Sequence, residues 1–296
     1  MPDSARHPFH GVILMLMALL FFAALDATSK HLARTFALPL VIWARYTCHC
    51  LLMVVFLAPS MRLKLVTTGR PLIQVVRAAL LVFSALITLA ALRIMPLAET
   101  TAIVSVSPLM VALLAARFLG ETVGRRRWLA ICIGFGGALI IARPGGALSL
   151  SGILLALAAA LGFALYLVLT RQLSATENSF TMLFYTALTG TLAMSLSLPW
   201  FWSGPVPSVS EALLIASTGV CSAMGHFLMI RAVHHAPAST LSPLTYLQLL
   251  WATLLGGLIF GQLPDRWSVV GMLIIAGSGV SIAMAERSTR KATAAT

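Results

Sequence analysis

Charge is what this sequence has least of. Only 9% of its 296 residues are Asp, Glu, Lys or Arg. A water-soluble domain carries about 25% and would have nothing here to cover its surface. Cysteine is also sparse. Cys48, Cys50, Cys132 and Cys221 all sit inside apolar runs. None has the spacing of a zinc site, and on a helix Cys48-His49-Cys50 points successive side chains about 100° apart. They read as small buried apolar residues, so neither a metal site nor a disulfide framework is expected. Catalytic signatures are missing too. There is no G-x-x-x-x-G-K-[ST] phosphate loop, no H-E-x-x-H and no G-x-S-x-G. The chain is therefore expected to burn no ATP itself, to be no hydrolase and to need no cofactor. No run of backbone carbonyls resembling a selectivity filter repeats along it, which counts against a channel.

What it has in abundance is apolar length. Hydrophobic residues make up 59% of the chain, and its mean hydropathy is +0.97. About 20 apolar residues cross a bilayer as helix. Ten such segments can be read, at 10–30, 38–58, 71–92, 99–119, 127–143, 149–171, 180–200, 211–231, 238–260 and 266–285. Short loops between them hold the punctuation, including Pro39, Gly69-Arg70-Pro71, Pro144-Gly145-Gly146, Pro237 and Pro264. This predicts an all-α integral membrane protein. The first apolar run has a retained twin at Ser149–Arg171, so it reads as a spanning helix rather than a cleaved signal. The tail 288–296 is small and polar and is expected to be disordered.

The formal charge of +12 is unevenly placed. Arg62, Lys64 and Arg70, then Arg125-Arg126-Arg127, then Arg287, Arg290 and Lys291 fall on one side of the ten-span topology. The other side has only Lys30, Arg34, Arg93, Arg143 and Arg266. The richer side belongs in the cytoplasm, which puts both termini there. The charge is accounted for by topology and anionic lipid, so the bilayer and not nucleic acid is the expected partner.

The chain is also duplicated. Pro96 and Pro237 are 141 positions apart, as are Gly120 and Gly261, and Gly11, Phe22 and Lys30 fall on Gly152, Phe163 and Arg171 at the same offset. Repeats outrank local motifs in assigning a fold. Residues 1–145 form a first unit of five spans and 146–287 a second. Five is odd, so the second copy enters the membrane from the opposite face and the two are inverted. Secondary transporters commonly have this architecture, with a site near mid-membrane where the repeats meet.

Polar residues at membrane depth are costly and tend to face a partner or a cavity. Asp26 and Arg45 lie at matching depths. They form either a structural ion pair or a proton or cation site with its counter-ion; their repeat positions hold Leu167 and Thr186. Ser105 and Ser107 are the repeat partners of Tyr246 and Gln248, all near mid-depth. Pro108 removes a backbone N–H and frees a carbonyl near residue 104. These four either bond within and between helices or line a substrate cavity, where Tyr246 and Trp251 would stack a planar or cationic group. Tyr166, Ser84 and Thr88 are further cavity candidates. His226 is either a hydrogen-bonded core histidine or a proton site. Glu99 complements the start of its helix, or forms an outer gate with Arg93. Arg77 reads as snorkelling to headgroups. Gly134, Gly136 and Gly137, with Gly271, Gly277 and Gly279, read as close packing within each half and, as a second use, a homodimer contact.

Taken in order, Trp43-Ala44-Arg45-Tyr46, Arg77, Ala91-Leu92-Arg93-Ile94-Met95-Pro96-Leu97-Ala98, Pro108, Gly120-Glu121, Trp128 and the run Gly134–Ala138 resemble the drug/metabolite transporter superfamily in its ten-helix form with two EamA repeats. The second copy departs from the pattern, with Gln262 after Gly261 and Leu249 where Pro108 stands. The resemblance implies a carrier of a small polar or amphipathic metabolite across an inner membrane, with the first, third, fourth, sixth, eighth and ninth spans lining the cavity. The segment Pro96–Pro108 resembles members that carry S-adenosylmethionine or riboflavin. The alternative class is a membrane scaffold or partner subunit that keeps the fold and transports nothing.

Overall fold

Proline and glycine set the helix boundaries. Helix α2 (Leu38–Met61) has Pro39 in its first turn and α3 (Pro71–Ile94) begins on Pro71, where a missing N–H costs nothing. Helix α1 spans Pro8–Leu32. The fourth predicted span is broken into α4 (Leu97–Val104) and α5 (Ser107–Phe118), followed by α6 (Arg125–Ile141). The second copy runs α7 (Leu150–Leu173), α8 (Ser179–Phe201) and α9 (Val209–His235). It then breaks as its twin does, into α10 (Ala238–Leu241), a 3₁₀ turn (Ser242–Leu247) and α11 (Gln248–Phe260), and ends in α12 (Arg266–Ala294). Gly261 stops α11 with φ of 63°. Gly261 N–H donates to the Gly257 carbonyl and Gln262 N–H to that of Gly256, a left-handed cap that glycine adopts without strain.

The computed structural model describes residues 8–118, 125–143, 148–201, 205–236 and 238–294. Gly120, Glu121 and Pro237, which anchor the repeat in the sequence, lie outside them. Among the described residues every element is helical, and nine helices are long and apolar enough to cross a membrane. A tenth apolar stretch, Trp128–Ile141, is shorter. The tail differs from expectation: α12 continues to Ala294. Extending an existing helix avoids the cost of nucleation, and no Gly or Pro follows Gly279 to stop it.

Contacts divide the chain into two compact units that do not coincide with the repeats. Unit 1 is 1–23, 96–148 and 224–296; unit 2 is 24–95 and 149–223. Each takes helices from both copies. In unit 2, α3 packs on α7 and α2 on α8. An apolar core there joins Leu32, Phe36, Val41, Ile42, Tyr46, Leu89 and Ile215. In unit 1, α6 packs on α12 and α4 on α11.

The glycines belong to this second arrangement. Gly137 and Gly271 join the last span of one repeat to the last span of the other, which goes beyond the expected packing within each half, while Gly134 against Leu109 and Gly279 against Tyr246 also pack within their own half. A Cβ on Gly137 would come within 2.8 Å of the Gly271 carbonyl oxygen and 2.9 Å of Ile274 Cγ2. Gly134 faces Leu109 and Ser278, whose hydroxyl donates to the Ala130 carbonyl. Gly136 and Gly277 have open space instead. At one end of this pair Asp265 caps α12, accepting from Ser268 N–H at 2.7 Å, and takes both guanidinium nitrogens of Arg143. The Arg143 hydrogen bond, with the Ser268 N–H second, lowers the Asp265 carboxyl from 3.8 to about 2.

Two tests follow from this packing. Gly137→Ala must push backbone apart and should lower stability by about 1–3 kcal/mol, whereas Gly136→Ala should be neutral or gain up to about 1 kcal/mol. Thermal unfolding in detergent reads both. Because the Asp265 carboxyl is depressed in the folded chain, its contribution is full above its ordinary value of 3.8 and is lost as pH falls towards about 2. The melting temperature of Asp265→Asn, which is set by the uncharged side chain, should therefore converge with that of the parent across that acid window.

Candidate functional site

The two helix breaks in unit 1 are the features that set it apart from a plain bundle. Pro108 has no N–H to give the Val104 carbonyl. The Ser107 hydroxyl supplies the bond instead, donating to that carbonyl at 2.8 Å, and Ser107 is buried. Ser105 bonds to the Thr101 carbonyl at 2.7 Å, which already accepts from Ser105 N–H at 2.9 Å. Both serines therefore spend their donor inside their own segment, one of the two uses open to them from sequence. In the second copy the break comes six residues earlier than Leu249, at Pro243 in the first turn of the 3₁₀ segment. That proline was the available signal, and alignment to Pro108 passed over it.

The other unit 1 candidates are placed as follows. Tyr246 is buried, its ring and hydroxyl against Gly279 of α12, and the hydroxyl has no hydrogen-bond partner among the described residues. Gln248 is half-buried at the start of α11. Trp251 packs against a cluster of Met15, Leu19, Ala232, Ala236 and Leu241. His226 meets Phe22 edge-on at 4.9 Å between ring centres. Glu99 is buried in the first turn of α4.

Unit 2 holds the rest. Ser84 donates to the Ala159 carbonyl at 2.9 Å, tying α3 to α7, and Thr88 is half-buried one turn on. Asp26 is half-buried. Arg93 is exposed in the last turn of α3. Arg45 is half-buried, its guanidinium 5.4 Å from the Tyr46 ring centre.

Arg77 overturns its expected role. It is 1% exposed and so does not snorkel. Its Nη2 donates to the Met182 carbonyl and, at 3.0 Å, to Thr186 Oγ1, and its Nη1 reaches Thr170 Oγ1 at 3.4 Å. The guanidinium lies 5.2 Å from the Tyr166 ring centre. The reason is register: Gln74, Arg77, Ala78 and Leu81 share the α3 face that packs on α7 and α8. Sequence reading also missed Lys30. It is buried, not in a loop, and its ammonium donates to the Leu92 carbonyl at 2.8 Å and to that of Met95, closing the C-terminus of α3. His49 went unassigned as well; buried in α2, it pairs with Ser222 of α9 at 3.2 Å.

An EamA family signature matches this chain twice, at residues 9–143 and 150–284. The chain belongs to the EamA-like transporter family. This EamA protein is similar over nearly its whole length to characterised relatives. It is 25% identical over 287 residues to the S-adenosylmethionine uptake transporter of Rickettsia bellii, covering 97% of this chain and 98% of that one. It is 26% identical over 284 residues to the pseudopaline exporter CntI of Pseudomonas aeruginosa, covering 94% and 97%. Against the riboflavin transporter of Vibrio cholerae it is 29% identical over 274 residues, 91% of each. A solved crystal structure shares the fold, with a TM-score of 0.67 at 18% identity, covering 94% of this chain and 98% of that one.

Ser107 and Ser105 can be told apart by experiment. Ser107→Ala leaves a buried carbonyl without a donor and should cost about 1–3 kcal/mol. Ser105→Ala leaves the Thr101 carbonyl its backbone bond and should cost well under that. Paired thermal melts in one detergent would show the difference.

Proposed function

We propose that this EamA protein is a secondary carrier, not an enzyme, that moves a small polar or amphipathic metabolite across the inner membrane by alternating access. The observation that carries this reading is the pair of broken spans, α4–α5 and α10–α11, one in each copy. Irregular backbone inside a bilayer is tolerated where protein or a water-lined cavity satisfies it, and transporters place their binding sites at such breaks. Characterised relatives named for uptake of S-adenosylmethionine, export of pseudopaline and transport of riboflavin support the substrate class.

We assign the substrate path to the breaks, with Ser105, Ser107, Tyr246 and Gln248 at them and Trp251, Tyr166, Ser84 and Thr88 as further lining. Asp26, Arg45 and His226 are proposed to couple charge or protons to the movement, and Arg93 with Glu99 to gate the outer side. The uneven distribution of Lys and Arg supports cytoplasmic termini.

Counterflow in proteoliposomes tests this. Vesicles loaded with unlabelled S-adenosylmethionine or riboflavin should accumulate the labelled compound transiently. Gln248→Ala and Tyr246→Ala should lower the initial rate by roughly tenfold or more. Normal rates in both variants would remove these residues from the path.

A further inference from the structure

We propose that unit 2 carries a two-station recognition site for a substrate carboxylate, with Arg77 as one station and Arg45 as the other. The inference rests on the carrier reading above and adds to it a substrate class and the residues that read it.

Arg77 is among the largest fully buried side chains in the chain. Every partner the structure gives it among the described residues is neutral: the Met182 carbonyl, Thr186, Thr170 and the Tyr166 ring. Its Nε is buried with no hydrogen-bond partner among them. A guanidinium is permanently charged and has five N–H donors. Moving it out of water costs several kcal/mol, and neutral acceptors recover less of that than a carboxylate does. One turn earlier Gln74 is fully buried, and its Oε1 also lacks a partner among the described residues.

The repeat shows that the scaffold needs no cation at this position. The residue 141 positions after Arg77 is Thr218, fully buried, with its hydroxyl bonded to the Ile215 carbonyl of its own helix at 2.6 Å. The twin therefore fills the same place with a small neutral residue. The residue 141 positions after Arg45 is Thr186, one of the two threonines that Arg77 bonds. So the pair Arg77 and Thr186 corresponds to the pair Thr218 and Arg45. Each pair holds one arginine and one threonine, but the arginine has changed helix. Packing alone would not require this exchange. A need for one positive charge at each of two related places would.

Their positions suit a relay. Arg77 is six residues into α3, about 9 Å from its start, and Arg45 is seven residues into α2, about 10 Å from its start. Helix α3 begins on the face where α2 ends, so the two charges lie near opposite faces of the membrane. Arg45 resembles Arg77 locally, over the Tyr46 ring at 5.4 Å and with Nε buried and unpartnered among the described residues. A carboxylate arriving from either side would meet a cation at similar depth. The threonine hydroxyls and the Met182 carbonyl hold Arg77 in place.

The test uses the full-length protein in proteoliposomes and three probes: S-adenosylmethionine, its decarboxylated analogue, and riboflavin, which has no carboxylate. The wild-type protein should take up the carboxylated compound roughly tenfold or more faster than the decarboxylated one. Arg77→Gln and Arg45→Gln should each bring that ratio towards one, and Arg77→Lys should restore part of it. The wild-type ratio is informative even if a variant fails to fold. Equal uptake of the two matched compounds, or an unchanged ratio in both glutamine variants, overturns the proposal. So does flux of riboflavin with none of S-adenosylmethionine, which leaves the carrier reading standing. Absence of flux for all three probes removes both.

Discussion

Inside a bilayer no water completes a missing hydrogen bond, so each polar group must find its partner within the protein. That constraint explains the irregular parts of this chain. The carbonyl that Pro108 frees at Val104 is met by Ser107, three residues on. The open carbonyls at the end of α3 are met by Lys30, brought in from α1. Gly261 closes α11 with its own backbone. Each departure from regular helix comes with its own local remedy, which is how a chain with so few charges maintains breaks at membrane depth. Among the described residues Arg77 departs from this, as do the Tyr246 hydroxyl, Gln74 Oε1 and Arg45 Nε. Arg77 is satisfied only by neutral groups, and one of its nitrogens is not satisfied at all among the described residues.

The second constraint is area. Without a hydrophobic effect to press helices together in lipid, association depends on close van der Waals approach. Gly137 and Gly271 let the backbones of α6 and α12 touch, and Gly279 admits the Tyr246 ring. In unit 2, Gly190 gives room to Tyr46 and Gly219 lies against the Arg45 carbonyl. Apart from the Gly279–Tyr246 contact, the elements brought together this way come from different copies. Each unit therefore draws helices from both copies, and the chain passes from one unit to the other at 23–24, 95–96, 148–149 and 223–224. Two of those passages lie inside α1 and α9, each of which belongs partly to each unit.

Much of this was legible in the sequence, for particular reasons. Hydropathy is a local property, so among the described residues nine helices and a shorter tenth fall close to where the apolar runs place them. The duplication is an offset between residues and needs no coordinates. The Pro108 break follows from one missing N–H. The second break was missed because the alignment to Pro108 pointed at Leu249, while Pro243 carried the same chemistry six residues earlier. The helical tail was missed because small polar composition resembles disorder until a helix is already present to extend.

The sequence by itself determined that the chain is built of about ten apolar helices, that it consists of two copies of one unit, and that it belongs with transporters. All three depend on residue type and spacing along the chain. Tertiary structure alone decided which helices are neighbours. It thereby decided that Arg77 points into protein instead of towards headgroups, that Lys30 closes a helix instead of facing water, and that Gly137 and Gly271 join one copy to the other. The physical reason is that burial depends on what packs opposite a side chain. Here the packing partners come from residues about a hundred positions away, beyond the reach of any local pattern.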